Sequence, residues 1–332
     1  MSIRREEDDP EVTKYLKATR ATAEKVVEIL HEKTYYCPPV TSANSNIKVS
    51  HFEGLSRILC GHALYAAKQE ESEKATQFVL SGLRLGSAVA KDGPFESVHT
   101  GTDIIVQTAI CAMCLPWEEY PEEHLRAFLK TLDELRPADI DLSRSLDWEF
   151  RLVEAGIFDN EVREDTGGLM ASLRETVVRR FLRKHEAELR AVAKLSYPEK
   201  EDRSDRHRQL RRTERRVLPT RIVSPLMSGV TSVATASTHV EGLRAVVALE
   251  RYKKTHGEYP ESLDALTPEF LGSVPRDAYS TEPLRYSRKK DSYQLCSVGR
   301  DGNNDNGDPK RDIPFPPASA ERFKASLKNA EG

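Results

Sequence analysis

The apolar residues of this chain change their period once, and that change limits what it can fold into. From residue 11 to about 195 they recur at helical spacing, whereas beyond residue 240 two short runs alternate with a period of two. The first pattern requires helices packed side by side; the second requires an antiparallel hairpin with one face buried. The expected class is therefore α+β: a mainly α-helical bundle or irregular helical-repeat domain, then a long helix with a small antiparallel β-sheet.

Within the helical part, Val12, Tyr15, Leu16, Thr19 and Ala23 begin one amphipathic stretch that Val26, Val27 and Leu30 continue and Cys37-Pro38-Pro39 ends. Phe52, Leu55, Ile58, Leu59, Ala63 and Ala66 mark a second helix, and Ala75, Phe78, Val79, Leu83 and Leu85 a third. Together they predict an antiparallel helical hairpin that loosely resembles a tetratricopeptide unit, with small residues where the helices approach. Further helices are expected over 100–115, 122–135, 141–157 and 169–195, joined at Pro116, Pro121, Pro137 and Gly167-Gly168. The chain divides into a helical domain at 11–195, a polar connector or helix at 196–237, a C-terminal domain at 238–315 and a tail at 316–332.

Composition excludes several classes. A net charge of −3 implies no global electrostatic partner, and 38% hydrophobic with 31% charged residues suits a soluble protein. The longest apolar run, Ile104 to Leu115, is broken by Gln107 and Thr108 and reads as a buried helix. The first ten residues have no apolar segment after Arg4-Arg5, so they do not read as a signal peptide. Cys111 and Cys114 lie inside an apolar helical run, where small buried thiols are expected rather than a metal or redox pair. His51, His62, His99 and His124 have no metal-binding spacing, no glycine-rich phosphate loop opens a helix, and no serine sits in a nucleophile elbow. Glu149, beside Trp148, is expected to pair with an arginine in the bundle core. The basic run from Arg203 to Arg216 lacks aromatics and is diluted by Asp205 and Glu214, so a solvated helix or linker is expected, with no nucleic acid partner. These readings point away from an enzyme.

One segment carries a ligand signature. Asp301, Asn303 and Asp305 stand at positions one, three and five of a glycine-interrupted loop, with Asp312 at position twelve. That is EF-hand spacing for a hard cation, although Asn306 replaces the usual glycine at position six and Asp312 the usual glutamate. The other reading is a solvated Asn/Asp/Gly turn, since these side chains also bond their own backbone. Upstream, Pro283 to Tyr286 and Ser292 to Gly299 form the hairpin, and Leu243, Val246, Leu249 and Tyr252 form a helical stripe that Gly257 ends. Lys253, Lys254 and His256 stand in its last turn, complementing the helix dipole.

The order of these pieces resembles a known family. A long helix ending in Tyr-x-x-x-x-Gly-x-Tyr-Pro at Tyr252 to Pro260, a short Ser-Leu-x-Ala-Leu turn at Ser262 to Leu266, a Val-Pro-x-Asp connection at Val274 to Asp277, the hairpin, and a Ser-Val-Gly-x-Asp-Gly loop at Ser297 to Gly302 resemble the major pseudopilin of bacterial type II secretion, general secretion pathway protein G. The resemblance covers roughly residues 238–315 and implies a structural calcium ion in the terminal loop. It implies Asp301 and Asp312 as side-chain ligands, Ser297 through its carbonyl, and Asp305 and Asp308 as further ligands. It differs from that family in having neither the basic leader nor the apolar span beside the motif, and a helical region stands there instead. The resemblance implies a non-enzymatic, calcium-stabilised structural or interaction protein facing the cell envelope or periplasm. Its partners would be proteins, and its membrane association would run only through an anchor not present in this chain. The alternative is a cytoplasmic helical-repeat adaptor without metal.

Overall fold

The computed structural model describes residues 10–31, 49–135, 137, 140–154, 168–202 and 223–317. The expected Cys37-Pro38-Pro39 stop, the arginine run from Arg203 to Arg216 and tail residues 318–332 lie outside them. The fold is α+β and mainly helical. Among the described residues the helices are α1 (Pro10–His31), α2 (Val49–Lys68), α3 (Ser72–Lys91), α4 (Phe95–Met113), α5 (Glu122–Asp133), α6 (Leu142–Glu154), α7 (Gly168–Ala193), α8 (Tyr197–Asp202) and α9 (Val223–His256). Strands β1 (Arg285–Arg288), β2 (Tyr293–Ser297) and β3 (Ile313–Phe315) form one antiparallel sheet in that order. No described helix is long and apolar enough to cross a membrane.

Helices α2 and α3 form the predicted hairpin, and α4 packs across both. The α3–α4 crossing depends on two glycines: a Cβ on Gly101 would lie 2.4 Å from the Gly86 carbonyl oxygen and 2.4 Å from the Ala90 nitrogen. Only hydrogen at that position lets the two backbones meet. Cys111 and Cys114 are buried at the end of α4, and the four described cysteines form no disulfide. Trp117, fully buried, donates its indole N–H to the Ala112 carbonyl at 2.9 Å and closes that end of the bundle.

The long helix α9 is the axis of the molecule. Its 34 residues span about 50 Å at 1.5 Å per residue. It begins at Val223, so Leu226, Met227, Val230 and Ala234, within the stretch assigned to a connector or helix, are packed helical residues. The sequence pattern predicts one apolar stripe, yet every residue from Leu243 to Arg251 is buried. The reason is position: α4 and α5 cover one side of α9, while β2, β3 and the turn at Leu263–Leu266 cover the other. A single apolar cluster runs from Ala23 through α2 to α5 and α9 to Leu295 and Phe315.

Buried charges on α9 are paired, as a low-dielectric site demands. Arg251 bonds Glu122, Arg244 meets Glu241 and Asp133, and Glu250 accepts the Tyr259 hydroxyl at 3.0 Å. At the C-terminus, Lys254 donates to the carbonyls of Glu118 at 3.1 Å and Tyr120 at 2.7 Å, anchoring α9 to the end of the bundle. His256 stacks on Tyr252 with ring centroids 4.1 Å apart.

The hairpin appears where alternation placed it, with Arg285 opposite Cys296 and Arg288 opposite Tyr293, but Leu295, Cys296 and Ser297 are all buried, so the central strand β2 is covered on both faces and not on one. Strand β3 pairs Ile313 with Ser297 and Phe315 with Leu295. Its proline, Pro314, is tolerated because β3 lies at the sheet edge.

Candidate functional site

The C-terminal loop begins where β2 ends, at Ser297. This buried hydroxyl donates to Asp277 Oδ1 at 3.0 Å and accepts the Gly299 N–H at 3.0 Å. Asp277 is 1% exposed. Its Oδ1 also accepts the Tyr279 N–H at 3.0 Å, and its Oδ2 accepts the Val298 N–H at 2.8 Å. A carboxylate with three donors aimed at it holds the connection after the Leu263–Leu266 turn against the exit of β2. Gly299 then takes φ +65°, and a Cβ there would lie 2.3 Å from the Arg311 carbonyl oxygen, so the two ends of the loop pinch together.

Between those ends the loop folds on its own side chains. Asp301 Oδ1 accepts the Asn303 N–H at 3.1 Å, Asn304 Oδ1 the Asn306 N–H at 3.0 Å, and Asp308 Oδ1 the Lys310 N–H at 3.1 Å. Each is a side-chain turn over two residues. Asp312 is 3% exposed and closes the loop from below: Oδ1 accepts the Asp305 N–H at 3.3 Å and Oδ2 the Gly307 N–H at 2.6 Å. Asp305 Oδ1 faces Arg311 Nη1 at 3.3 Å, while its Oδ2 is buried without a hydrogen-bond partner. Gln294 of β2 donates to the Asn306 carbonyl at 2.9 Å, and Tyr197 of α8 donates to the Arg300 carbonyl at 2.9 Å.

Of the six residues singled out from sequence and resemblance, the fold brings together Asp305 and Asp312. Asp301, Asn303 and Asp308 are exposed on the outer rim; at Ser297 the implied donor is the backbone carbonyl, while the hydroxyl bonds Asp277. Among the described residues, no three His, Cys, Asp or Glu side chains converge to hold a metal ion. A cation here would draw on Asp305, Asp312 and backbone carbonyls, all oxygen donors of the kind calcium accepts.

In sequence Asp277 is only the end of the Val-Pro-x-Asp connection, whereas in the fold its carboxylate accepts three hydrogen bonds. Its signal was a lone acid between Val274 and Tyr279, where burial is expected. Glu149 takes a role that its sequence position alone does not reveal: it accepts the Phe95 N–H at 3.2 Å, at the first residue of α4. A carboxylate suits that position because the first amides of a helix lack intrahelical partners. Trp148 beside it donates to Asp92 Oδ1 at 2.8 Å.

Three of the four histidines singled out have polar partners, and His51 is exposed. His62 meets Thr19 Oγ1 at 3.2 Å and packs on Phe78, His99 meets Ser232 Oγ at 2.9 Å, and His124 meets Ser72 Oγ at 3.1 Å. Compared with protein-family models, curated proteins and solved structures, the chain matches none.

Proposed function

We propose that this is a non-enzymatic structural or interaction protein whose C-terminal loop is stabilised by calcium, and that it faces the cell envelope as the resemblance to the type II secretion pseudopilin implies. The observation that carries the reading is Asp305 Oδ2, a carboxylate oxygen buried without a partner in a loop with four carboxylates in twelve residues. Leaving such an oxygen dry is costly, and a cation removes the cost. Asp305 and Asp312 would hold the ion, with loop carbonyls filling the shell. The helical part then presents the surface for protein partners, and the calcium loop fixes the end of the sheet.

The test is thermal unfolding in calcium and in chelator, with calorimetry. A hundredfold excess over Kd adds about 2.7 kcal/mol to the folded state, which raises Tm by several degrees. Magnesium does less, because it requires a tighter octahedral shell. Asp305→Asn removes most of the calcium effect, and Asp291→Asn in the hairpin turn leaves it intact. Equal melting temperatures with no uptake at millimolar calcium overturn the reading.

One observation favours a second reading, the metal-free adaptor. Both oxygens of Asp312 already accept backbone N–H groups, and Asp301 and Asp308 cap their own turns, so most of the loop is closed by its own bonds. The same titration separates the two.

A further inference from the structure

A cavity of about 710 Å³ lies between α9, the segment after α5, the end of α7 and the chain from Ser273 to Thr281. Leu132, Leu135, Val230 and Val274 are among its apolar walls. Its volume is within the range of sites for small organic ligands.

Three polar side chains of α9, Ser237, Glu241 and Arg244, line the same space. Ser237 is 8% exposed and its hydroxyl has no hydrogen-bond partner; Arg244 is 4% exposed and its Nε has none. Side chains on a helix lean towards its N-terminus, so Arg244 reaches back along the face that carries Ser237. Its Nη1 confirms that direction by donating to both oxygens of Glu241, one turn earlier, at 2.8 Å. Natural interiors seldom leave two donors unpaired on one face, and a ligand acceptor would satisfy both.

The charge around them selects the ligand. Arg244 Nη2 stands 2.6 Å from Asp133 Oδ1, so with Glu241 the guanidinium already has two carboxylates beside it. An anionic ligand would meet those carboxylates, whereas a neutral carbonyl oxygen accepts from Nε–H and Oγ–H without repulsion. We propose that this cavity binds a neutral, largely apolar small molecule through a carbonyl-type acceptor held by Arg244 and Ser237. This site is separate from the C-terminal loop and does not depend on calcium.

The probe is the neutral naphthyl ketone prodan, titrated into the full chain and followed by fluorescence. Saturable one-to-one binding with blue-shifted emission is expected. Val233→Trp, or Val274→Trp on the facing wall, fills the space and abolishes it; two positions guard against one variant failing to fold. Ser237→Ala, which removes an unpartnered hydroxyl and so should fold normally, weakens prodan about three- to tenfold, the loss of one hydrogen bond. The ketone-free analogue 2-dimethylaminonaphthalene is unaffected by that change, and octanoate does not compete. Absence of saturable binding, or equal binding by both filled variants, overturns the site. Equal loss for both probes in Ser237→Ala, or competition by octanoate, overturns the assigned acceptor chemistry.

Discussion

Arg251 of the central helix lays its guanidinium across Glu122 of α5: Nε is 3.1 Å from both carboxylate oxygens and Nη2 is 2.5 Å from Oε1. Its Nη1 reaches the Phe270 carbonyl at 3.2 Å, and the guanidinium lies over the Phe270 ring. One side chain thus joins the first turn of α5, the axis of the molecule and the turn before the sheet.

The pair sets a pH dependence. Its hydrogen bonds to Arg251 hold the Glu122 carboxyl below the usual range. A depressed folded-state pKa gives stability that is present above the unfolded value and is lost as pH falls through the folded one. Glu122→Gln is expected to cost about 1–2 kcal/mol near neutrality, discounted because the Glu122 side chain is 35% exposed. Urea melts at neutral pH and again below the carboxylate range check this. A gap between wild type and variant that does not narrow in acid would show that the ion pair contributes nothing.

Histidines act on the same acid side of the profile, beginning at higher pH. Burial lowers the pKa of His62, His99 and His239, the last of which donates its Nδ1–H to the Thr235 carbonyl at 2.8 Å. That carbonyl is an acceptor, so Nδ1 carries the proton there. The unfolded chain takes up protons near pH 6.5 while these folded imidazoles remain neutral, so stability falls as pH drops below about 6.5. Each histidine contributes a slope of at most about 1.4 kcal/mol per pH unit until its folded pKa is passed. His239→Gln should flatten the curve, and an NMR titration placing the His239 imidazole at its ordinary value would refute the prediction.

The α3–α4 crossing offers a paired test of sterics. Gly101→Ala should destabilise by about 3 kcal/mol, the upper end of overpacking, because the atoms 2.4 Å from its Cβ are backbone and cannot swing aside. Gly54→Ala in α2 meets nothing within 4 Å and should stabilise by roughly 0.5–1 kcal/mol through helix propensity. Chemical denaturation of both variants decides; equal effects would mean that α3 and α4 are not in close contact.

Asp277 allows a hydrogen-exchange test. Asp277→Asn replaces one acceptor oxygen by a donor facing N–H and O–H groups, at an expected cost of about 2–4 kcal/mol. The Val298 amide, which donates to Asp277 Oδ2 at 2.8 Å, should then exchange faster relative to amides of α4. Unchanged protection at Val298 would remove Asp277 from the account of how the loop is held.

What the sequence determined by itself is the set of elements whose patterns are local. Alternation from Tyr293 to Ser297 and helical spacing through α2, α3 and the end of α9 specify strand and helix because each residue's face follows from its neighbours in the chain. Tertiary structure decided the rest. The first half of α9 is rich in Ser and Thr and by sequence reads as a connector or helix, but Thr231 and Thr235 return their hydroxyls to the carbonyls four residues back and so can sit in a packed helix. Strand β3 is three residues with a central proline, a pattern too short to read, and it exists because β2 offers it an edge. Asp277, Glu149, Ser237 and Arg244 owe their roles to partners distant in the chain or to a cavity that several elements enclose. Periodicity records which face a residue takes, whereas burial of a polar group acquires meaning only when long-range packing supplies or withholds its partner.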